Sequence, residues 1–202
     1  MVVATAVIVA LANNRPTSRR PAPRSPVNGG ANRYLGTGIP SGLRLPTFAL
    51  PDLRGHRVTS SGVGGHVVVI TFFDSKCTTQ CPLDAAAIAG ALDQLSPRQR
   101  RQVRSLAISM SPRDDTIANA RAFLRAHHLL GRMDYLIGTP RQLRPVWSEF
   151  HVLSSLQSGN SDLHSADIRI YERGGSWVAD FDASDLNPAD IAHDLRVAIG
   201  RA

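Results

Sequence analysis

The sequence predicts an α/β domain: a central mixed sheet flanked by helices, with a β-hairpin at its N-terminus. Short runs of β-branched and aromatic residues alternate with segments in which apolar residues recur at helical spacing, the pattern of parallel strands joined by helices. Near the C-terminus two strand-like runs follow one another directly, which indicates an antiparallel edge. At 202 residues, the chain has room for one such domain and an extension.

The first predicted elements are the hairpin, a buried strand and a helix. Residues 47–50 and 56–59 flank the turn sequence PDLRG, which favours a hairpin. Residues 66–73, HVVVITFF, are typical of a strand buried on both faces. Residues 84–95 then predict a helix, because Ile88, Leu92 and Leu95 recur at helical spacing.

The later elements continue the alternation. Residues 106–110 and 133–137 predict two further short strands. Between them Asp114-Asp115 is expected to cap a helix running to about His128, and Thr139-Pro140 to start a helix reaching Phe150. The C-terminal part predicts strands at 166–172 and 176–182, a hairpin turn between them, and a closing helix from Asn187-Pro188.

Both cysteines of the chain lie at the turn between the first core strand and its helix. Cys77 and Cys81 are four residues apart, and Pro82 stands where a first helical turn tolerates proline. This spacing places both sulfurs on one side of the turn, and the free N–H groups and dipole of the helix should lower thiol pKa values there. The pair predicts thiolate chemistry, either redox or soft-metal binding. A CxxxC at this position makes the predicted fold thioredoxin-like.

Composition divides the chain into three parts. Residues 1–12, MVVATAVIVALA, are uninterruptedly apolar but shorter than the ~20 residues of a spanning helix. We interpret them as the remnant of an export signal or membrane anchor, with a frayed apolar terminus as the alternative. Residues 13–45, rich in Pro, Arg, Ser and Gly, predict a flexible linker. The folded domain is predicted over 46–202, on the extracytoplasmic face of the cell membrane, anchored or exported.

The net charge of +7 belongs to the N-terminal part. Residues 1–51 contain six arginines and no acidic residue, so the remaining 17 basic and 16 acidic groups nearly balance. No basic helix face with interleaved aromatic residues accompanies the charge. We therefore do not expect a nucleic-acid partner.

Four motifs resemble the SCO/SenC family of copper-binding, thioredoxin-like proteins involved in cytochrome c oxidase assembly. Residues 72–82, FFDSKCTTQCP, match the family's strand followed by CxxxCP, and residues 107–116, AISMSPRDDT, resemble its S-x-D-P-x-x-D-T segment. LIGTP at 136–140 resembles its L-x-G-T turn, and DLHS at 162–165 resembles its D-H-S. The resemblance covers residues 46–200. It departs from the family at Thr78-Thr79-Gln80 between the cysteines, at Ser111 in place of Asp, and at the inserted Leu163.

The resemblance implies a copper site formed by Cys77, Cys81 and His164. Two thiolates and an imidazole are a soft donor set suited to Cu(I), with Cu(II) as a second oxidation state, whereas a closed zinc site would need a fourth ligand. The implied partner is the copper-bearing subunit of cytochrome c oxidase or another copper chaperone. The domain is expected to be a monomer that is membrane-tethered or secreted.

The cysteine pair is compatible with two alternative functions. The first is a metallochaperone that delivers copper to the CuA centre of a haem-copper oxidase. The second is an extracytoplasmic thiol-disulfide reductase in which Cys77 and Cys81 form a redox disulfide. Reductases of the thioredoxin type resemble one another in CxxC spacing and a cis-proline facing the disulfide. This chain has CxxxC, no proline between Pro145 and Pro188, and His164 instead, which favours metal.

Each candidate residue also has a simpler interpretation. Cys77 and Cys81 would then form a structural disulfide, and His164 would be an ordinary loop residue. The other histidines within the predicted domain are expected at the hairpin, at helix ends or on the surface; those considered are His56, His127, His128, His151 and His193.

Overall fold

The computed structural model describes residues 33–200. The predictions for residues 1–12 and for the first part of the linker, 13–32, lie outside the described residues. Within the described range, no helix combines the length and the apolar character needed to cross a membrane.

Eight strands and six α-helices make up the described part of the chain. The strands are β1 (Thr37–Gly38), β2 (Ala49–Pro51), β3 (Arg57–Thr59), β4 (Val67–Phe73), β5 (Val103–Ser109), β6 (Asp134–Leu136), β7 (Ile168–Tyr171) and β8 (Trp177–Phe181). The helices are α1 (Gln80–Asp93), α2 (Pro97–Arg100), α3 (Ile117–Ala126), α4 (Pro140–Glu149), α5 (Ser155–Ser158) and α6 (Pro188–Gly200).

Six strands form the central sheet in the order β1-β8-β7-β4-β5-β6. Strands β4, β5 and β6 run parallel to one another. Strand β7 pairs antiparallel with β4, and β8 and β1 continue this antiparallel edge. Strands β2 and β3 form a separate antiparallel hairpin. The predicted α/β, thioredoxin-like fold with a mixed sheet and an N-terminal hairpin is confirmed.

The middle strand β4 is buried along its whole length, because it has paired neighbours on both sides and a core on each face. Val67, Val69 and Phe73 belong to one core, with apolar residues of α1, α3 and α6. Phe72 belongs to the second core, with residues of β5 and α4. This strand therefore ends at a fixed point, and the cysteine turn follows directly from it.

The folded part begins earlier than the predicted boundary at residue 46. Thr37 and Gly38 pair with β8, and the N–H groups of Leu35 and Gly36 donate to the buried carboxylate of Asp194, at 2.8 and 3.0 Å. Residues 35–38, which lie within the segment predicted as a linker, are therefore held against the domain. Backbone hydrogen bonds hold this segment, and composition cannot reveal such bonds.

One predicted helix cap is wrong. Helix α3 is capped by Thr116, whose side chain accepts the N–H of Asn119. Asp115 is instead buried, and its carboxylate accepts the N–H of Ser75 at 2.7 Å and the hydroxyl of Ser109 at 2.6 Å. Asp115 thus ties the segment after β5 to the segment after β4, beside the cysteine turn.

Candidate metal centre

The turn that carries the cysteines is folded tightly against the end of β4. The N–H of Cys77 donates to the carbonyl of Asp74 at 3.0 Å, and the N–H of Lys76 donates to the Asp74 carboxylate at 2.8 Å. The neighbouring N–H of Ser75 is bound by Asp115. The backbone between the buried strand and α1 therefore has little freedom to move.

Both cysteines are free thiols with almost no exposure to solvent. Cys77 is 5% exposed and Cys81 is fully buried. Cys81 lies in the first turn of α1, and its N–H points at the Cys77 sulfur over 3.4 Å. The Cys77 sulfur therefore accepts one of the N–H groups that a helix N-terminus leaves without an intrahelical partner.

The third candidate ligand, His164, lies in the irregular segment between α5 and β7. Its carboxylate neighbour Asp162 accepts the N–H of Thr78 at 2.7 Å and the hydroxyl of Thr79 at 3.2 Å. On the other side of His164, the N–H of Ser165 donates to the carbonyl of Leu153 at 2.8 Å. These contacts bring the histidine segment against the residues between the two cysteines.

The His164 ring faces the sulfurs with its Nε2 atom. Nε2 lies 3.2 Å from the Cys81 sulfur, and Nδ1 lies 2.7 Å from the carbonyl oxygen of Ser165. A carbonyl only accepts hydrogen bonds, so Nδ1 carries the proton and the neutral ring keeps its lone pair on Nε2. The two sulfurs and Nε2 all lie within 4.8 Å of one another.

The two thiols differ in acidity. The hydrogen bond from Cys81 is the main reason that the pKa of Cys77 is lowered to about 4, with burial opposing and His164 assisting. The same hydrogen bond, together with burial, raises the pKa of Cys81 above the ordinary thiol value. Burial works against the charged form of His164, but the hydrogen bonds to Cys77 and to the Ser165 carbonyl outweigh it and raise its pKa.

This arrangement offers two kinds of chemistry. Two thiolate sulfurs and one imidazole nitrogen form a soft, three-donor site, and the described residues contribute no other His, Cys, Asp or Glu donor to this cluster. Such donors favour soft ions that accept low coordination numbers. A sulfur that is a thiolate at neutral pH is also a nucleophile toward disulfides.

The structure brings together the three residues predicted as ligands, and it places the other histidines elsewhere. Among the described residues, the metal-ligating cluster does not include His56, His127, His128, His151 or His193. Asp162, whose carboxylate joins the histidine segment to the residues between the cysteines, was not among the predicted site residues. The signal was the pair Thr78-Thr79, whose hydroxyl and N–H groups need an acceptor near the start of α1.

The chain is similar to known proteins of one family. The family model described as SCO1/SenC matches residues 41–200. The protein described as "Protein SCO1 homolog 1, mitochondrial", from Arabidopsis thaliana, is 26% identical over 107 residues. That match spans 52% of this chain and 31% of the Arabidopsis protein, so the chain covers about a third of that relative's length.

Two solved structures show the same fold. Apo Sco1 from Thermus thermophilus superposes with a TM-score of 0.69 at 23% identity, over 84% of this chain and 99% of that one. Copper-bound ScoI from Bradyrhizobium japonicum superposes with a TM-score of 0.62 at 25% identity, over 75% of this chain and 97% of that one. Because the family match takes in most of the chain, including the cysteine turn and His164, the chain belongs to the SCO1/SenC family.

Proposed function

We propose that this chain is a copper metallochaperone, which binds copper through Cys77, Cys81 and His164 and delivers it to the CuA centre of a haem-copper oxidase. One observation carries the proposal. Two thiol sulfurs and the lone-pair nitrogen of an imidazole converge within 4.8 Å, and a hydrogen bond from Nδ1 to a backbone carbonyl fixes the imidazole tautomer.

The donor set favours copper over the other common ions. Thiolates and imidazole select soft or borderline metals, and Cu(I) accepts three ligands. Structural zinc requires four, and the described part of the cluster has three donors. The copper named for the Bradyrhizobium relative supports the same choice. Cu(I) is the expected cargo in the reduced protein, and the imidazole also makes Cu(II) accessible.

The geometry suits a carrier that must also release its ion. Cys81 lies in the first turn of α1. Cys77 lies in the turn before it, held by the hydrogen bond from its N–H to Asp74 and by the N–H of Cys81 on its sulfur. His164 instead lies on the longer irregular segment between α5 and β7. Movement of that segment would remove one ligand and leave copper on two sulfurs, ready for an acceptor that offers more. The acceptor would be the copper-bearing subunit of the oxidase or another copper chaperone.

The proposal places the domain, as a monomer, on the extracytoplasmic face of the membrane, tethered or exported. Haem-copper oxidases are membrane complexes, so a chaperone for their CuA centre has to work at the membrane surface. The mitochondrial relative is compatible with this placement, and so is the apolar run at residues 1–12.

A transfer experiment tests the proposal. The reduced full chain is loaded with one equivalent of Cu(I) without oxygen and mixed with the soluble copper-bearing domain of an oxidase subunit. We expect copper to move to the acceptor from wild type and from His151→Asn, a change at an exposed histidine that keeps a residue tolerant of positive φ. His164→Ala should bind copper weakly and fail in transfer. Transfer by His164→Ala at the wild-type rate would contradict the proposal.

The low pKa of Cys77 favours one alternative, a thiol-disulfide reductase that keeps the acceptor's cysteines reduced. In that function Cys77 attacks a target disulfide and Cys81 resolves the mixed disulfide, which leaves Cys77 and Cys81 joined and the target reduced. The same His164→Ala variant separates the two functions. A reductase would still reduce a disulfide-bonded acceptor without His164, whereas a chaperone would lose its transfer activity.

A further inference from the structure

A cavity lies at the opposite end of the sheet from the cysteines. It has a volume of about 780 Å³ and is bounded by the β2–β3 hairpin, by α2 and by the first residues of β5 and β6. The cysteine turn follows the C-terminal end of β4. The cavity lies at the other end, beside the start of β5, where Val67 of β4 pairs with Val103 of β5. Seven residues of strand separate the two ends by about 20 Å.

The lining of this cavity is strongly basic. Its charged residues are the two aspartates Asp52 and Asp134 and the six arginines Arg54, Arg57, Arg100, Arg101, Arg104 and Arg132. These eight residues give the lining a formal net charge of +4. The described domain has nearly balanced charge as a whole, so this concentration is local, and a concave shape strengthens the field it produces.

The aspartates of the lining are already engaged. The carboxylate of Asp52 accepts the N–H groups of Arg54 and His56, both at 2.8 Å, which closes the hairpin turn. Asp134 forms an ion pair with Arg104 at 2.6 Å. These carboxylates therefore do not neutralise the rest of the arginine cluster.

Three of the arginines have no carboxylate partner among residues 33–200. Arg57 and Arg101 are exposed and form no side-chain hydrogen bond or ion pair within the described residues, and Arg100 donates only to the carbonyl of Leu95 at 3.2 Å. Like charges that share a concavity repel one another, so an anion that bridges these guanidinium groups would be stabilised there.

We propose that this cavity binds a ligand carrying phosphate groups, either a soluble phosphate compound or an anionic phospholipid headgroup. Guanidinium groups present planar, two-pronged donors that match phosphate oxygens. The volume falls within the range of ~300–1,000 Å³ that is typical of small-molecule sites. Apolar side chains such as Val58, Leu92 and Met133 line it as well and would contact the organic part of the ligand.

Two titrations of the reduced full chain distinguish the sources of phosphate. In the first, sodium pyrophosphate is added and followed by calorimetry and by backbone amide chemical shifts. In the second, the chain is sedimented with vesicles of phosphatidylglycerol in phosphatidylcholine and with vesicles of phosphatidylcholine alone. Saturable binding in the first titration identifies a soluble phosphate ligand. Binding to anionic vesicles alone identifies a headgroup.

Two double variants with the same change in charge provide the comparison. Arg57→Gln with Arg101→Gln removes the two cavity arginines that have no partner. Arg141→Gln with Arg144→Gln removes two exposed arginines of α4, which are not part of the lining. Because all four side chains are exposed, both variants should fold. Copper binding, about 20 Å away, should be unchanged in each and serves as the check.

We expect the cavity variant to weaken phosphate binding at least about tenfold, because it loses two charge-assisted contacts. The α4 variant should bind like wild type. Pyrophosphate should shift the amides of Arg57, Arg101 and Gly131 and leave those of the cysteine turn unchanged. The proposal is overturned if wild type binds neither probe, if both variants lose binding equally, or if a hexaglutamate peptide binds more tightly than either phosphate probe.

Discussion

The two sulfurs and the imidazole reach the candidate metal centre from regions that are built differently. The cysteines follow a strand that is buried on both faces, and one of them already belongs to a helix packed against the core. His164 lies in a segment without regular structure, beside Leu163, which is 59% exposed. The core therefore holds the sulfur pair, whereas a few hydrogen bonds hold the imidazole.

For the proposed copper carrier, this difference would assign copper binding mainly to the sulfurs and copper release to the imidazole. A ligand fixed by core packing can be displaced only at the cost of disrupting the fold, but a ligand held by loop hydrogen bonds moves at a small fraction of that cost. The bonds that hold the loop include those from Thr78 and Thr79 to Asp162 and those in both directions between Ser165 and Leu153. We expect the sulfurs to set the affinity for copper and the imidazole to control its transfer.

We call the sulfurs of Cys77 and Cys81 the fixed half of the site and the imidazole of His164 the adjustable half. The largest effect on Cu(I) binding is expected for the fixed half. Cys77→Ser or Cys81→Ser should weaken Cu(I) binding at least about a thousandfold, or about 4 kcal/mol, because a hydroxyl is a hard, weakly acidic donor. Competition against a colorimetric Cu(I) chelator measures the change. His164→Ala should cost less than either cysteine change. The reverse order of these losses would contradict the division into a fixed and an adjustable half.

The pH dependence of Cu(I) affinity should separate the two halves next. Cys77 is already a thiolate above pH 5, since its pKa is lowered to about 4. Cys81, with its raised pKa, must release one proton on binding, so affinity falls about tenfold per pH unit as pH drops. The pKa of His164 is raised above 6.5. Below that pKa the imidazole is protonated, so copper binding must release a second proton from it.

The predicted curve is therefore a slope of about one proton at high pH that steepens to about two at low pH. The steepening should begin above pH 6.5, because the pKa of His164 is raised. In His164→Ala the slope should stay near one throughout. Chelator competition from pH 5.5 to 8.5 measures both curves, and a steepening that survives in His164→Ala would assign the second proton to another group.

A smaller effect is expected where the two halves meet. Asp162→Ala removes the carboxylate that accepts the Thr78 N–H and the Thr79 hydroxyl, so His164 should spend less time facing the sulfurs. We expect Cu(I) to be held about fivefold more weakly and to leave faster, with unchanged thermal stability. Leu163→Ala on the same segment is the control and should behave like wild type. Equal effects in the two variants would remove the positioning role from Asp162.

Sequence patterns predicted the fixed half better than the adjustable half. Strand β4 and the cysteine turn follow from apolar runs and cysteine spacing, which are local properties. His164 was identified only through the resemblance of DLHS to a family motif, because no local pattern says which strand end a loop histidine will reach. The contact between Asp162 and Thr78 joins residues 84 positions apart, and such a pairing exists only once the chain has folded.

Residues 34–38 and the basic cavity also depend on contacts between distant parts of the chain, which local sequence patterns do not reveal. The pairing of Thr37 with Asp180 crosses most of the chain, and residues 34–38 lack the apolar pattern that would have predicted a strand. The six arginines of the cavity are scattered between positions 54 and 132. Their charges nearly cancel against acidic residues elsewhere in the domain, so composition gave no sign that they converge.

X-ray absorption at the copper edge tests the central claim most directly. The reduced full chain is loaded with one equivalent of Cu(I), alongside His164→Ala and His151→Asn. The account predicts two sulfurs and one imidazole nitrogen per copper in wild type and in His151→Asn, and loss of the nitrogen alone in His164→Ala. A sulfur-only spectrum in wild type, or an imidazole nitrogen that persists in His164→Ala, would contradict it.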